Sequence, residues 1–264
     1  MDAPHDSKTS PATPFAIVAL AFSFLTLFPI PERWLASVTT SDLARSFAVF
    51  PLVGFTLGAI LMVPPWLLAG TGSSLLHATV VASLLCLLTR ALHLDGLADV
   101  ADGFGGAYAP ERRLEIMKDS RTGAFGVAAI VFLVAVKIAS LDVLISRHCW
   151  AFIALAPLLG RFAMVASAYG SRYARSEGGL GKSFIEQISA AHLVMASIAT
   201  AILSLLLAGT ASLPPLAAVL CFVALARWTS HHMIGGLTGD VLGAINEIAE
   251  ALAWTALASL PQAP

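Results

Sequence analysis

The sequence predicts an all-α integral membrane protein: a polytopic bundle of about seven transmembrane helices plus a short N-terminal interfacial or re-entrant helix. Three observations predict it. Hydrophobic residues make up 58% of the 264-residue chain. Charged residues make up only 12%, against about 25% in a typical soluble domain. Apolar runs of roughly 20 residues, the length that crosses a bilayer, recur between short polar turns. A mean hydropathy of +0.84 agrees. The expected organisation is a disordered tail over 1–14 and a single transmembrane catalytic domain over 15–264. The tail is polar and partly acidic and lacks the basic start of a secretory signal. The formal net charge of -1 offers no footprint for nucleic acid. Cys86, Cys149 and Cys221 lie far apart in apolar runs, so they read as buried small residues rather than a disulfide framework or zinc site.

Taken in order, Phe15 to Ile30 is apolar but short for a crossing, and Pro29 and Pro31 end it. It reads as interfacial or re-entrant, with a full span as the alternative. Ser41 and Asp42 are placed to cap the helix that follows. Phe47 to Ala69 is the first span, and Pro64-Pro65 would bend its far end. Leu75 to Leu94 returns, and a charged segment runs from Asp95 to Thr122. Gly123 to Ile145 and Cys149 to Tyr169 cross next, joined by a turn at Arg147-His148. A polar loop, 170–187, leads to Ile188 to Ala208, then Pro214 to Ile234. A third loop, GGLTGD at 235–240, precedes the last span, Val241 to Leu260.

Each crossing flips the chain, so the loops at 95–122, 170–187 and 235–240 fall on one face, together with 31–45. That face carries Arg33, Arg45, Arg112, Arg113, Lys118, Arg121, Arg172, Arg175 and Lys182, whereas the opposite turns carry Arg147. The excess of Lys and Arg predicts that the charged face is cytoplasmic, at an inner membrane.

The chemistry-bearing stretch is ALHLDGLADVADGFGGAYAPERRLEIMKDSRTGAFG, Ala91 to Gly126. On a helix, Asp95, Asp99 and Asp102 share one face, where like charges repel. A hard divalent cation would relieve that repulsion, and Mg²⁺ favours oxygen ligands and phosphate-bearing partners. The plainer reading is a solvated acidic helix end. Glu115, Lys118, Asp119 and Arg121 form a second group, whose bases would neutralise phosphate oxygens; a salt-bridged surface helix is its plainer reading. Arg172, Arg175, Gly178, Gly179, Gly181 and Lys182 resemble a phosphate nest, or else a flexible loop rich in bases for topological reasons. Arg161 lies inside a span, where an ionisable group usually faces a cavity. Asp240, Gly243 and Glu247 share a helical face, and Glu247 and Glu250 at membrane depth need a cation, a base or a cavity. His231 and His232 are a weak metal signal. Lys137 and Asp142 read as a pair on their own helix or at the interface.

HLDGLADVADGFGG followed by EIMKDSRTGAFG resembles the cobalamin synthase family, the adenosylcobinamide-GDP ribazoletransferases. FLTLFPIP at 24–31, FPLVG at 50–54, YARSEGGLGKSF at 173–184 and GGLTGDVLGA at 235–244 resemble further blocks of that family. Leu27 stands where the family usually has a base, and Ser176 where a proline is expected. The resemblance implies a Mg²⁺-dependent inner-membrane enzyme of cobalamin biosynthesis. Such an enzyme joins adenosylcobinamide-GDP to α-ribazole, or its 5′-phosphate, and releases GMP. Asp95, Asp99 and Asp102, with Asp119 or Asp240, would hold the metal. Lys118, Arg121, Arg161 and Arg175 would offset phosphoryl charge, and an aspartate or His93 would take the hydroxyl proton. Family analogy also implies association with other enzymes of the pathway and leaves the oligomeric state open.

Two rivals remain at this level. CDP-alcohol and prenyl transferases also use aspartate-rich helices, but Asp95-Gly96-Leu97-Ala98 is followed here by Asp99 rather than Arg. A transporter would place its charges at the midplane of paired repeats, and none is evident in the sequence.

Overall fold

A computed structural model describes residues 12–177 and 180–261. Within them the chain is helical, apart from one isolated parallel bridge between Tyr173 and Leu237. The predicted tail therefore falls mostly outside the described residues. The first helix, α1 (Pro14–Leu25), starts at Thr13, whose side chain accepts from the Ala16 amide at 3.2 Å. Proline in its first turn needs no donor there. Its 12 residues are shorter than a crossing requires.

Next, α2 (Thr40–Ser46) runs into α3 (Phe50–Leu61) and the short α4 (Val63–Leu67). The cap of α2 differs from the expected one. Thr39 is the cap residue, and Asp42 reaches back to its amide at 3.0 Å; the side chain of Ser41 lies outside the described set. Together 42–67 make one stretch long and apolar enough to cross a bilayer.

The predicted span Leu75 to Leu94 is not straight. It divides into α5 (Ser74–Leu88) and α6 (Leu92–Gly106), which meet at 89°. Between them Arg90 and Ala91 adopt left-handed backbone, with φ of 55° and 53°. The Ala91 amide there reaches back to the Cys86 carbonyl at 2.9 Å. Two non-glycine residues in that region are uncommon and costly, and such strain persists only where packing enforces it. The segment after the break, expected as a charged loop, is thus largely helical: α6, then α7 (Pro110–Ile116).

The remaining helices are α8 (Ala124–Ser146), α9 (Trp150–Ala168), α10 (Leu180–Glu186), α11 (Ala190–Ala208), α12 (Leu213–Ile234) and α13 (Gly239–Ala258). Five stretches are long and apolar enough to span, or six if the bent α5–α6 pair counts as one. One of the five, 190–234, would be about 67 Å long if straight, more than twice the hydrocarbon core. It is instead divided at Gly209, whose φ of 52° ends α11, and both halves pack against α9. The protein is an all-α, polytopic membrane protein.

The hub of the bundle is α9, almost wholly buried and flanked by α3, α11, α12 and α13. On α3, Gly54 and Gly58 face the α9 backbone at Pro157 and Ala154, so closely that a methyl group at either would collide with it. Small residues at that spacing let membrane helices approach closely where no hydrophobic force draws them together.

The loops sort to two ends. At one, Ser74 donates to Asp142 at 2.5 Å, and Arg147 donates to the carbonyls of Ala258 and Leu260. At the other, Lys118 pairs with Glu177 at 2.5 Å and Arg113 donates to the Met233 carbonyl at 2.9 Å. The Arg172 carbonyl there accepts from the Leu237 amide at 2.8 Å. This second end gathers the three polar segments that the alternation of crossings predicts should share a face.

Candidate active site

The site is built where α6 crosses the start of α13. Gly96 makes the crossing close: a Cβ there would lie 2.7 Å from the Asp240 carbonyl oxygen. Gly243 answers from α13, with its Cβ position 3.2 Å from the His93 Cα. Thr238 caps α13, accepting from the Val241 amide at 3.2 Å, and donates its hydroxyl to Asp240 at 3.2 Å. The bridge between Tyr173 and Leu237 lays the 171–177 segment alongside, and Arg175 reaches Asp240 at 2.7 Å.

Asp99 is half-buried, and its electrostatic surroundings are Asp240, Asp95, Arg175 and Asp102. The structure therefore brings together Asp95, Asp99, Asp240 and Arg175 out of distant stretches of the sequence. Neither Asp95 nor Asp99 has a hydrogen-bond partner among the described residues, so both carboxylates are available to a ligand.

Asp102 has another occupation. Its two oxygens accept from the amides of Gly123 at 2.6 Å and Gly126 at 2.9 Å. A carboxylate at that point caps α8 and meets the positive end of its dipole. Gly123 and Gly126 are close enough to Asp102 that a Cβ on either would press on the carboxylate. Asp119 is also occupied, by Arg121, at 2.6 Å on an exposed turn. Hydrogen bonds from the Arg121 side chain and backbone hold the Asp119 carboxyl down at about 2. Lys118 is half-exposed beside Glu177, whose carboxyl it lowers. A cleft of about 400 Å³ runs between α7 and the 174–177 segment, with Lys118 and Arg175 on its walls. Gly181 lines a separate cavity beside Asp240, while Gly178 and Gly179 lie outside the described residues.

The charges at membrane depth form a network of their own. Lys137 on α8 contacts Glu247 at 2.5 Å and Glu250 at 2.6 Å, both on α13. Arg161 on α9 pairs with Glu250, which also accepts from Asn246 at 3.2 Å. All four charged groups are buried. This corrects the expected pairing of Lys137 with Asp142, which instead accepts from Ser74. Ions excluded from water need opposite charges and several hydrogen bonds, and α13 supplies both. Arg161 and Glu247 are thus held beneath the carboxylate cluster rather than in it. His93 lies beside them, fully buried, with Arg161 and Lys137 as its charged neighbours.

The carboxylates fit a hard cation in donor type and in unbalanced charge. Among the described residues, no three acidic, histidine or cysteine side chains form a complete protein-only site. That suits Mg²⁺, which commonly takes one or two carboxylates and completes its shell with water and substrate phosphate.

The family described as cobalamin-5-phosphate synthase matches residues 17–258. A protein of Syntrophobacter fumaroxidans named adenosylcobinamide-GDP ribazoletransferase is 49% identical over 240 residues, covering 91% of this chain and 97% of its own. Relatives of the same name occur in Geotalea daltonii and Chlorobaculum tepidum. The first is 36% identical over 91% of this chain and 96% of its own; the second is 39% identical over 89% and 91%. No solved structure matches the chain.

Proposed function

This chain belongs to the cobalamin-5-phosphate synthase family, and on that premise we propose that it joins adenosylcobinamide-GDP to α-ribazole, or to its 5′-phosphate, with release of GMP. The observation that supports this chemistry is the meeting of Asp95 and Asp99, both without partners, with the Asp240–Arg175 pair at the loop-rich end of the bundle. A hydroxyl of the ribazole attacks the phosphorus that bears the cobinamide. The bond from that phosphorus to the bridging oxygen breaks, and GMP departs. The hydroxyl proton passes to Asp95 or Asp99, the carboxylates with a free acceptor oxygen. Arg175 and Lys118 face the incoming diphosphate from the adjoining cleft and offset charge on its oxygens. Asp95 and Asp99, with Asp240, are the residues that would hold Mg²⁺. When bound, the ion supplies charge neutralisation on the diphosphate.

The site faces the cytoplasm of a bacterial inner membrane in this reading. The excess of Lys and Arg on the 107–123 and 171–187 segments supports that orientation. Association with other enzymes of the pathway belongs to the same reading.

The test is purified protein in detergent with both substrates, scored for cobalamin and GMP by chromatography. Turnover should stop with EDTA and return with Mg²⁺. Asp95→Asn and Asp99→Asn, each shown to insert in the membrane, should lower kcat roughly hundredfold, about 2.7 kcal/mol of barrier. Near wild-type turnover by both variants at saturating Mg²⁺ would overturn the assignment. Release of CMP or pyrophosphate in place of GMP would overturn the reaction.

A further inference from the structure

Beside the carboxylates lies a cavity of about 210 Å³ that the reaction scheme above leaves without a tenant. Phe24, Phe47 and Met164 form apolar wall, and Asp95 and Asp240 stand on its lining beside them. His93 also lines it. That side chain is 2% exposed, and neither of its ring nitrogens has a partner among the described residues. An imidazole in any protonation state keeps at least one N–H to donate. Buried polar groups are almost always satisfied, so an unsatisfied one aimed into a cavity marks a missing ligand or water. The aromatic wall is itself ordered by stacking: Phe47 lies on Phe50 at 4.3 Å between centroids, and Phe24 lies near the same ring at 6.3 Å.

We propose that this cavity seats the fused aromatic base of α-ribazole, with His93 donating to its unsubstituted ring nitrogen. The proposal rests on the reading that α-ribazole is the acceptor substrate. Three features select the base over the other parts of the two substrates. A corrin ring is far too large for the space. Guanine carries hydrogen-bonding groups along most of its edge, and the apolar wall would strand them. A dimethylated benzimidazole offers one ring-nitrogen acceptor and otherwise C–H and methyl groups, which is what one histidine among phenylalanines and a methionine can satisfy. A base held here also directs its ribose toward Asp95 and Asp240, where the hydroxyl must react. His93 thereby becomes a specificity-determining residue rather than the proton acceptor.

The test is calorimetric binding of α-ribazole to the detergent-purified full chain, together with KM values for both substrates. His93→Phe should weaken α-ribazole at least tenfold and leave the KM for adenosylcobinamide-GDP within twofold. His93→Gln, which keeps an N–H, should recover part of the loss. The riboside analogue with C–H in place of the bare ring nitrogen should bind wild type at least tenfold more weakly than α-ribazole, and bind His93→Phe no worse than α-ribazole does. Met164→Phe, which fills the cavity from the opposite wall, should also raise the KM for α-ribazole alone, and covers the case in which His93→Phe does not fold. If wild type turns over and α-ribazole binding is unmoved by the folded variants, or the loss falls on adenosylcobinamide-GDP, the seat is overturned. If wild type produces no cobalamin and no GMP from these substrates, the transferase reading fails instead.

Discussion

Asp102 shows how little a residue's type reveals of its employment. In the sequence it completes a row with Asp95 and Asp99, and chemistry alone would put all three on one ion. In the structure its carboxylate ties the start of α8 to α6 through two backbone amides. Backbone donors carry no side-chain signature, so nothing in the sequence distinguishes a capping aspartate from a ligating one at this spacing; Gly123 and Gly126 were the available hint. The role predicts a stability effect. Asp102→Ala should cost about 1–2 kcal/mol, as loss of a helix cap does, read as a lower thermal midpoint in detergent. Asp102→Asn, which keeps one acceptor oxygen, should recover part of it.

At the scale of elements, the crossing of α6 and α13 positions everything that reacts. It was partly legible: Gly96 and Gly243 flank acidic residues at helical spacing, and small residues there announce a close approach. Its consequence is testable. Gly96→Ala would drive a methyl to 2.7 Å from the Asp240 carbonyl oxygen, so the helices must separate. Displacements near 1 Å can cost on the order of a hundredfold in rate, and kcat should fall to that extent with helix content by circular dichroism unchanged. The 89° break before α6 was not legible. It is made by Arg90 and Ala91 in left-handed backbone, where a reader of sequence looks for glycine. Packing imposed that conformation against local preference, and an apolar run read by length alone passes straight through it.

For the whole molecule, composition and the alternation of crossings were enough to assign a helical membrane bundle and to bring three loops to one end. They were not enough to pair charges across it. Lys137 and Glu250 are distant in sequence, and the nearer Asp142 offered a more economical partner that the fold does not use. Breaking a buried pair by removing one member typically costs about 3–5 kcal/mol, because the other charge is left without compensation. Lys137→Met should therefore destabilise the protein strongly in mixed-micelle unfolding, and adding Glu247→Gln should restore part of the loss.

That buried network has an electrical consequence. Lys137 and Arg161 are matched by Glu247 and Glu250, two cations against two anions. A transmembrane voltage does work on an isolated charge of about 2.3 kcal/mol per 100 mV, but none on a neutral quartet that shifts as a body. Reconstituted into vesicles, the protein should turn over at one rate whether the membrane is energised or collapsed by an ionophore, its interior charges being electrically silent.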